Sequence, residues 1–529
     1  MDDITIFRDL VKSVIKYRSE ACLNIIDALC SNTSFDSPVK LTLSSLFKRK
    51  YSSLYKANKE FSFREGKDLS TISDFCIRSL QDKSRLKITI CDATPVKRTA
   101  RKLEDKQYVY DATSSSPKPV AIGHNHSVVI SPILGPNPSD ADWAIPFDIK
   151  RIPSKRNSAE FGMEQVSKIV SDPKLNFFDS MVLNLADSAY NSPSAILAVE
   201  KDLERNLTHC CRCRGGRVCY KSASSTINKK GHPKWFGSKL KMNKNAAEML
   251  PPDLCFSSSS NSKSGKSINI ETNVWTGMVF RGTNDFDAHK FPFSLIRITV
   301  SNSQGNKIYK NPLWLCVYGK NRDQLVFGLS HNIYKIRFLI EVFFKFIKRN
   351  LLFNKFYTPE IIHGENWSKL IAIAYMQAFF LRKKTLNIYY PWEYNKKYKD
   401  ANRVASLTEV QRSYFTILKN EDIDTKPPKT RGISKGRSRG TKPKKRKNSK
   451  IIKKRTESKK ELSPDNLQQV ELFDGSFKNG KRILHHKDSS SQGKKIIQQS
   501  ENITKNPNSV VNILPKNICK RTTGPPDYL

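Results

Sequence analysis

The stretch that most constrains this chain runs from Asn332 to Asn350, NIYKIRFLIEVFFKFIKRN, in which one acid stands among many bases. Tyr334, Arg337, Glu341 and Lys348 fall at i, i+3, i+7 and i+14, whole turns or nearly so, and therefore share one stripe of an α-helix. A second stripe, Phe338, Val342, Phe346 and Ile347, is apolar and can face a core with Glu341 at its edge. Two upstream runs read as strands that each deliver a carboxylate. LKITICDATPVKR alternates Leu86, Ile88 and Ile90 on one face, then ends on Asp92 with a turn at Pro95. MVLNLADSAYNS places Met181, Val182, Leu183 and Leu185 in a buried strand that ends on Asp187. A strand-terminal aspartate taken alone more often caps the next helix than does chemistry. Two of them followed by the helix glutamate, in the order Asp, Asp, Glu, make a stronger pattern.

The spacing Tyr-x2-Arg-x3-Glu-x6-Lys resembles, at all four positions, the signature around the catalytic glutamate of a large group of bacterial insertion-sequence transposases, the DDE type with a β-rich insertion. The resemblance spans roughly Leu86 to Phe380. It implies an α/β chain with a ribonuclease H-like mixed-sheet core interrupted by an all-β insertion. Asp92, Asp187 and Glu341 would be the catalytic acids and the ligands of Mg2+, for which Mn2+ can substitute. The implied activity is metal-dependent cleavage of DNA and 3′-OH strand transfer at the terminal inverted repeats of an insertion sequence. The implied partners are double-stranded DNA carrying those repeats, target DNA, and a second copy of the chain in a homodimer. Tyr334, Arg337 and Lys348 would contact DNA phosphates, and so would Arg212 and Arg214 from an Arg-x-Arg strand after the second aspartate. Trp235 and Trp275 would be insertion tryptophans able to stack a flipped base. GHPKWFGSKLKMN, from Gly231, and the turn Pro251-Pro252-Asp253 also resemble stretches of that group. The chain departs from it at Ser188-Ala189-Tyr190 and in its long basic tail. Two other classes fit the same residues: a metal-dependent nuclease that cuts without joining, and a catalytically retired DNA-binding descendant.

Charge supports a nucleic-acid partner independently. Ninety-two Lys and Arg against 49 Asp and Glu give a net charge of +43, a field that calls for a polyanion. No run approaches the roughly 18 apolar residues of a membrane-spanning helix, so no membrane role is expected. MDDITIFRDL lacks a basic segment leading into an apolar one, so no secretory signal is expected, and the 11 cysteines are expected reduced in a prokaryotic, nucleoid-associated cytoplasmic setting. The cluster His209, Cys210, Cys211, Cys213 and Cys219 lacks a second pair at zinc-finger spacing. It reads instead as a strand with Cys211 and Cys213 on one face, Arg212 and Arg214 on the other, and a Gly215-Gly216 hairpin turn.

Composition divides the chain into six regions. Residues 1–84 read as a helical DNA-end-binding region, or equally as a helical cap, and 85–204 as the first part of the core. Within that part YVYDAT and HSVVISPIL are expected to join the Asp92 strand as an antiparallel trio, followed by the helix AEFGMEQVSKIV, the Asp187 strand and the helix SPSAILAVEKDLE. Residues 205–311 read as the β insertion, with a polar loop at SSSSNSKSGKS. Residues 312–350 supply the last core strand, LWLCVYG, and the glutamate helix, and 351–420 a helical region centred on HGENWSKLIAIAYMQAFFLRKK. From 421 to 529 the composition is that of a basic low-complexity, disordered tail, with 17 Lys or Arg between Lys426 and Lys460.

Overall fold

The structure is a computed structural model that describes residues 3–420, apart from 81–85, 99–101, 111–119, 134–142, 224–234, 244, 262–266, 284–285, 327–330, 387 and 389–403, together with 425–427 and 440. The expectations for the tail fall almost wholly outside these residues. The fold is mixed α/β. Twelve strands form one mixed sheet: β1 (Leu86–Lys97), β2 (Gln107–Tyr110), β3 (Val120–Ile133), β4 (Trp143–Arg151), β5 (Met181–Ala186), β6 (Leu207–Cys213), β7 (Val218–Ser222), β8 (Phe236–Lys241), β9 (Leu254–Asn261), β10 (Ser267–Val279), β11 (Phe293–Asn302) and β12 (Leu313–Tyr318). Their order is β2-β3-β1-β5-β6-β12-β11-β10-β7-β8, with β4 also on β3 and β9 also on β10.

The expected trio forms, since β3 pairs antiparallel with β1 and with β2. The strand β4, which also pairs with β3, shows in the sequence as the alternation Trp143, Ile145, Phe147, Ile149. β1 does not end on Asp92. It runs on to Lys97, and Pro95 sits inside it opposite Asn125. β5 and β6 then add in parallel beside β1.

The β-rich segment continues this sheet instead of standing apart from it, because β12 pairs antiparallel with β6 on one side and with β11 on the other. Two local expectations are corrected. Gly215-Gly216 makes no hairpin: β7 pairs with β8 and β10 and not with β6, although Gly216 does take a left-handed φ of 87°. The serines of SSSSNSKSGKS are not a loop, for Ser257–Ser260 lie in β9 in register with β10. The exposed β9 has no buried face to require apolar alternation, which is why its sequence reads as polar loop.

The helices are α1 (Asp3–Val14), α2 (Ser19–Cys30), α3 (Pro38–Leu41), α4 (Tyr51–Glu60), α5 (Leu69–Arg78), α6 (Ser158–Ser171), α7 (Pro193–Leu197), α8 (Glu200–Leu203), α9 (Ala246–Met249), α10 (Arg322–Val326), α11 (His331–Lys335), α12 (Leu339–Arg349), α13 (Ile361–Phe380), α14 (Arg382–Thr385) and α15 (Leu407–Asn420). α13 is buried at every residue from Asn366 to Phe380 except Lys369. A helix apolar on all sides must be surrounded, and the N-terminal helices do much of the surrounding. Cys30 donates its thiol hydrogen to the Ala374 carbonyl, the Asn58 amide donates to the His363 carbonyl, and the Asn366 amide donates to the Asn58 carbonyl. The Ser73 hydroxyl of α5 donates to the Pro146 carbonyl in β4, so the N-terminal helices cap the sheet. Among the described residues no helix is long and apolar enough to cross a membrane.

Candidate active site

Parallel register brings the two aspartates together. Ile90 of β1 pairs with Leu185 of β5, and each aspartate stands two residues further along its own strand. Two residues return a strand to the same face, so Asp92 and Asp187 project side by side where β5 stops. Asp187 precedes a 3-10 turn, Ser188–Tyr190, yet its side chain makes no capping hydrogen bond, which removes the ordinary structural role of such a residue. The carboxylate of Asp92 accepts from the Ala93 backbone N–H, 2.8 Å away.

The glutamate comes from an interrupted helix. α11 passes through a 3-10 turn, Ile336–Phe338, before α12 begins. That tighter turn re-phases the residues, so the continuous helix expected over 332–350 is corrected. Phe338 is 58% exposed instead of facing the core, while Ile340, Phe343, Phe344, Phe346 and Ile347 are buried.

The four signature residues are each placed differently by this break. Tyr334 is buried, and its hydroxyl donates to the Ala186 carbonyl at 3.1 Å, one residue before Asp187. Arg337 donates to Glu341 at 2.8 Å. Lys348 donates to the Thr94 hydroxyl at 2.5 Å, two residues beyond Asp92. The helix segment is thus pinned to β5 at one end and to β1 at the other, with Arg337 and Glu341 between.

The three acids share one electrostatic environment. Burial, together with the charges of Asp187 and Glu341, pushes the Asp92 carboxyl up to about 6, against the opposing pull of the Ala93 N–H and Arg337. Burial lowers the Lys348 ammonium to about 8, and Lys97 adds to the effect while Asp92 opposes it. Burial drives the Tyr334 phenol upward, so it stays protonated as a donor.

Among the described residues no three carboxylate, imidazole or thiol groups stand as a ready-made metal cage. Glu341, 46% exposed, is turned toward Arg337. The donor set nevertheless fits a hard divalent cation: of three carboxylates, Asp92 is raised chiefly by burial and further by the charges of the other two, a repulsion such a cation relieves.

The remaining expected residues divide. Ala186 pairs with Cys211, so Arg212 follows in β6 as Asp187 follows β5, and Arg212 lies on the strand beside the acid, exposed. Arg214 is exposed just beyond β6, and Cys211 and Cys213 are buried, as the alternation requires. Trp235 is 38% exposed, and one of its faces stacks on His289 with ring centres 4.0 Å apart. Trp275 is fully buried against Trp314 and donates to the Leu250 carbonyl, so its ring has no face open to a base.

Sequence reasoning passed over the residues beneath the site. Gly162 of α6 is one: a Cβ there would lie 2.7 Å from the Cys91 sulfur and 2.9 Å from the Tyr190 ring, so only glycine lets α6 approach. Its signal was a glycine inside an otherwise helical run. Compared with protein-family models and with curated proteins, the chain matches none.

Proposed function

We propose that this protein is a DDE transposase, a metal-dependent enzyme that cuts DNA at the ends of an insertion sequence and joins the freed 3′-OH to a target. The observation that carries the reading is that parallel register sets Asp92 and Asp187 side by side at the ends of adjacent strands, with Glu341 of a distant helix near enough for its charge to bear on Asp92. The strand order β3-β1-β5-β6, with β4 also antiparallel on β3, β1 antiparallel to β3 and β1 parallel to β5, supports a ribonuclease H-like core. The net charge of +43 supports a DNA partner.

Asp92, Asp187 and Glu341 would hold magnesium, which when bound supplies charge neutralisation at the scissile phosphate and activation of the attacking oxygen. Arg337 offers its guanidinium fork between the acids and an approaching phosphate. Lys348 and Arg212 flank the acids on either side and suit the DNA backbone as phosphate contacts. Tyr334 acts as a tether of the helix to β5. Pairing of two element ends by a homodimer belongs to the same proposal.

The test uses purified protein, a labelled duplex of the flanking terminal repeat, target DNA and magnesium, with wild type set against Glu341→Gln. Cutting at the repeat's end and joining by wild type, both abolished in the variant with DNA affinity kept, is the expected result. Cutting without joining would make the protein a nuclease. Binding without cutting by either form would leave it a DNA-binding protein.

A further inference from the structure

A row of polar side chains runs through the otherwise apolar core under the acids. Thr89, Asn184 and His209 are direct cross-strand partners on β1, β5 and β6, and each is 0% exposed. The Thr89 hydroxyl donates to the Asn184 carbonyl oxygen at 3.0 Å, and the Asn184 amide lies 2.9 Å from His209 Nδ1. His209 Nε2 lies 3.2 Å from the backbone carbonyl of Tyr190.

The proton positions follow from one fact. A carbonyl oxygen only accepts, so Nε2 carries the hydrogen. In the neutral ring Nδ1 then accepts, Asn184 must present its NH2, and its oxygen turns to Thr89. One tautomer and one amide orientation satisfy the whole row.

The row ends on the turn that follows Asp187. Tyr190 is the third residue after that acid, and its ring hydroxyl meets the sulfur of Cys91, the residue before Asp92, at 3.6 Å. The adjacent Asn191 is held by the Tyr318 hydroxyl at 2.8 Å. A buried polar row whose members are all satisfied rigidifies the core around it and specifies one arrangement.

We propose that His209, as the neutral Nε2–H tautomer, is a positioning residue that fixes the Asp187 turn, and through Tyr190 the spacing of Asp187 from Asp92, for divalent-metal binding. This rests on the reading of the three acids as metal ligands. Two variants separate positioning from simple filling of space. In His209→Gln the side-chain amide still reaches the Tyr190 carbonyl; in His209→Asn it satisfies Asn184 but is too short for Tyr190.

The measurement is Mn2+ affinity of the full chain by titration calorimetry or paramagnetic resonance, without DNA, alongside duplex binding. His209→Asn is expected to weaken Mn2+ by about tenfold or more, the usual consequence of losing a group that orients a ligand. His209→Gln should stay within about twofold of wild type, and DNA affinity should hold in both. Equal Mn2+ affinity in the two variants, whether both normal or both weakened, overturns the positioning role. Wild type that binds no Mn2+ fails the metal-centre reading itself, a result distinct from wild-type binding that is indifferent to residue 209.

Discussion

Asp92 is the residue whose environment makes the sharpest demand. Its carboxyl is raised from 3.8 to about 6, chiefly by burial and then by its acidic neighbours, so the folded chain prefers it protonated. Such a group favours folding fully below about pH 4, and the benefit is lost as pH rises through 6. In chelator, Asp92→Asn is expected to be more stable than wild type at pH 8 by roughly 2 kcal/mol, with the difference closing toward pH 4. Denaturant unfolding at the two pH values checks this. The comparison is made between variants because His209, lowered by burial to about 4, has the opposite sign: its contribution is present above about pH 6.5 and lost as pH falls through 4. Tyr334 carries a second prediction at this scale. Its buried hydroxyl donates to the Ala186 carbonyl, so Tyr334→Phe should cost about 1 kcal/mol of stability and lower cleavage with DNA affinity unchanged. A fall in DNA affinity would instead return Tyr334 to the phosphate contact that its place in the signature implied.

At the scale of elements, the break between α11 and α12 decides how the signature works. An unbroken helix would place all four residues on one exposed stripe; the 3-10 turn instead sends Tyr334 inward, presents Arg337 and Glu341, and aims Lys348 at β1. A comparable junction joins the helical elements. Asp27 of α2 accepts from Arg8 of α1, Gln377 of α13 and Tyr414 of α15. Four helices therefore meet on one carboxylate, Asp27 and Tyr414 standing 387 positions apart in the chain. Asp27→Ala would leave a largely buried guanidinium without its anion, and a loss of about 3–5 kcal/mol is expected. Thermal unfolding of the full chain tests it. A loss below about 1 kcal/mol would mean that apolar packing around α13 holds the N-terminal helices unaided.

For the whole molecule, the distribution of charge makes the prediction. The segment from Lys426 to Lys460 carries 17 Lys or Arg, enough to hold many phosphates without sequence preference. A chain ending at 420 should therefore show a shallower dependence of log affinity on log salt, while magnesium-dependent cutting of bound duplex persists. An unchanged slope would assign DNA affinity to the folded part alone.

Local pattern determined a good part of this protein. The alternation of Leu86, Ile88 and Ile90, the apolar run before Asp187 and the period of α6 and α13 are properties of a few neighbouring residues, and each formed the expected element. The acids Asp92, Asp187 and Glu341 were legible as candidates for the same reason, since each sits at a fixed offset from such a pattern. Tertiary structure alone decided which strands became neighbours: that β6 joins β5 in parallel, that β12 closes on β6, and that β7 leaves the Gly215-Gly216 turn for β10. It also decided the 3-10 break that exposes Phe338, and the row from Thr89 to His209 beneath the site. The strand pairings and the polar row depend on hydrogen bonds between residues far apart in the chain, 95 positions in the case of Thr89 and Asn184. No short window of sequence contains both partners, so periodicity can announce a strand or a helix but not what it will lie against.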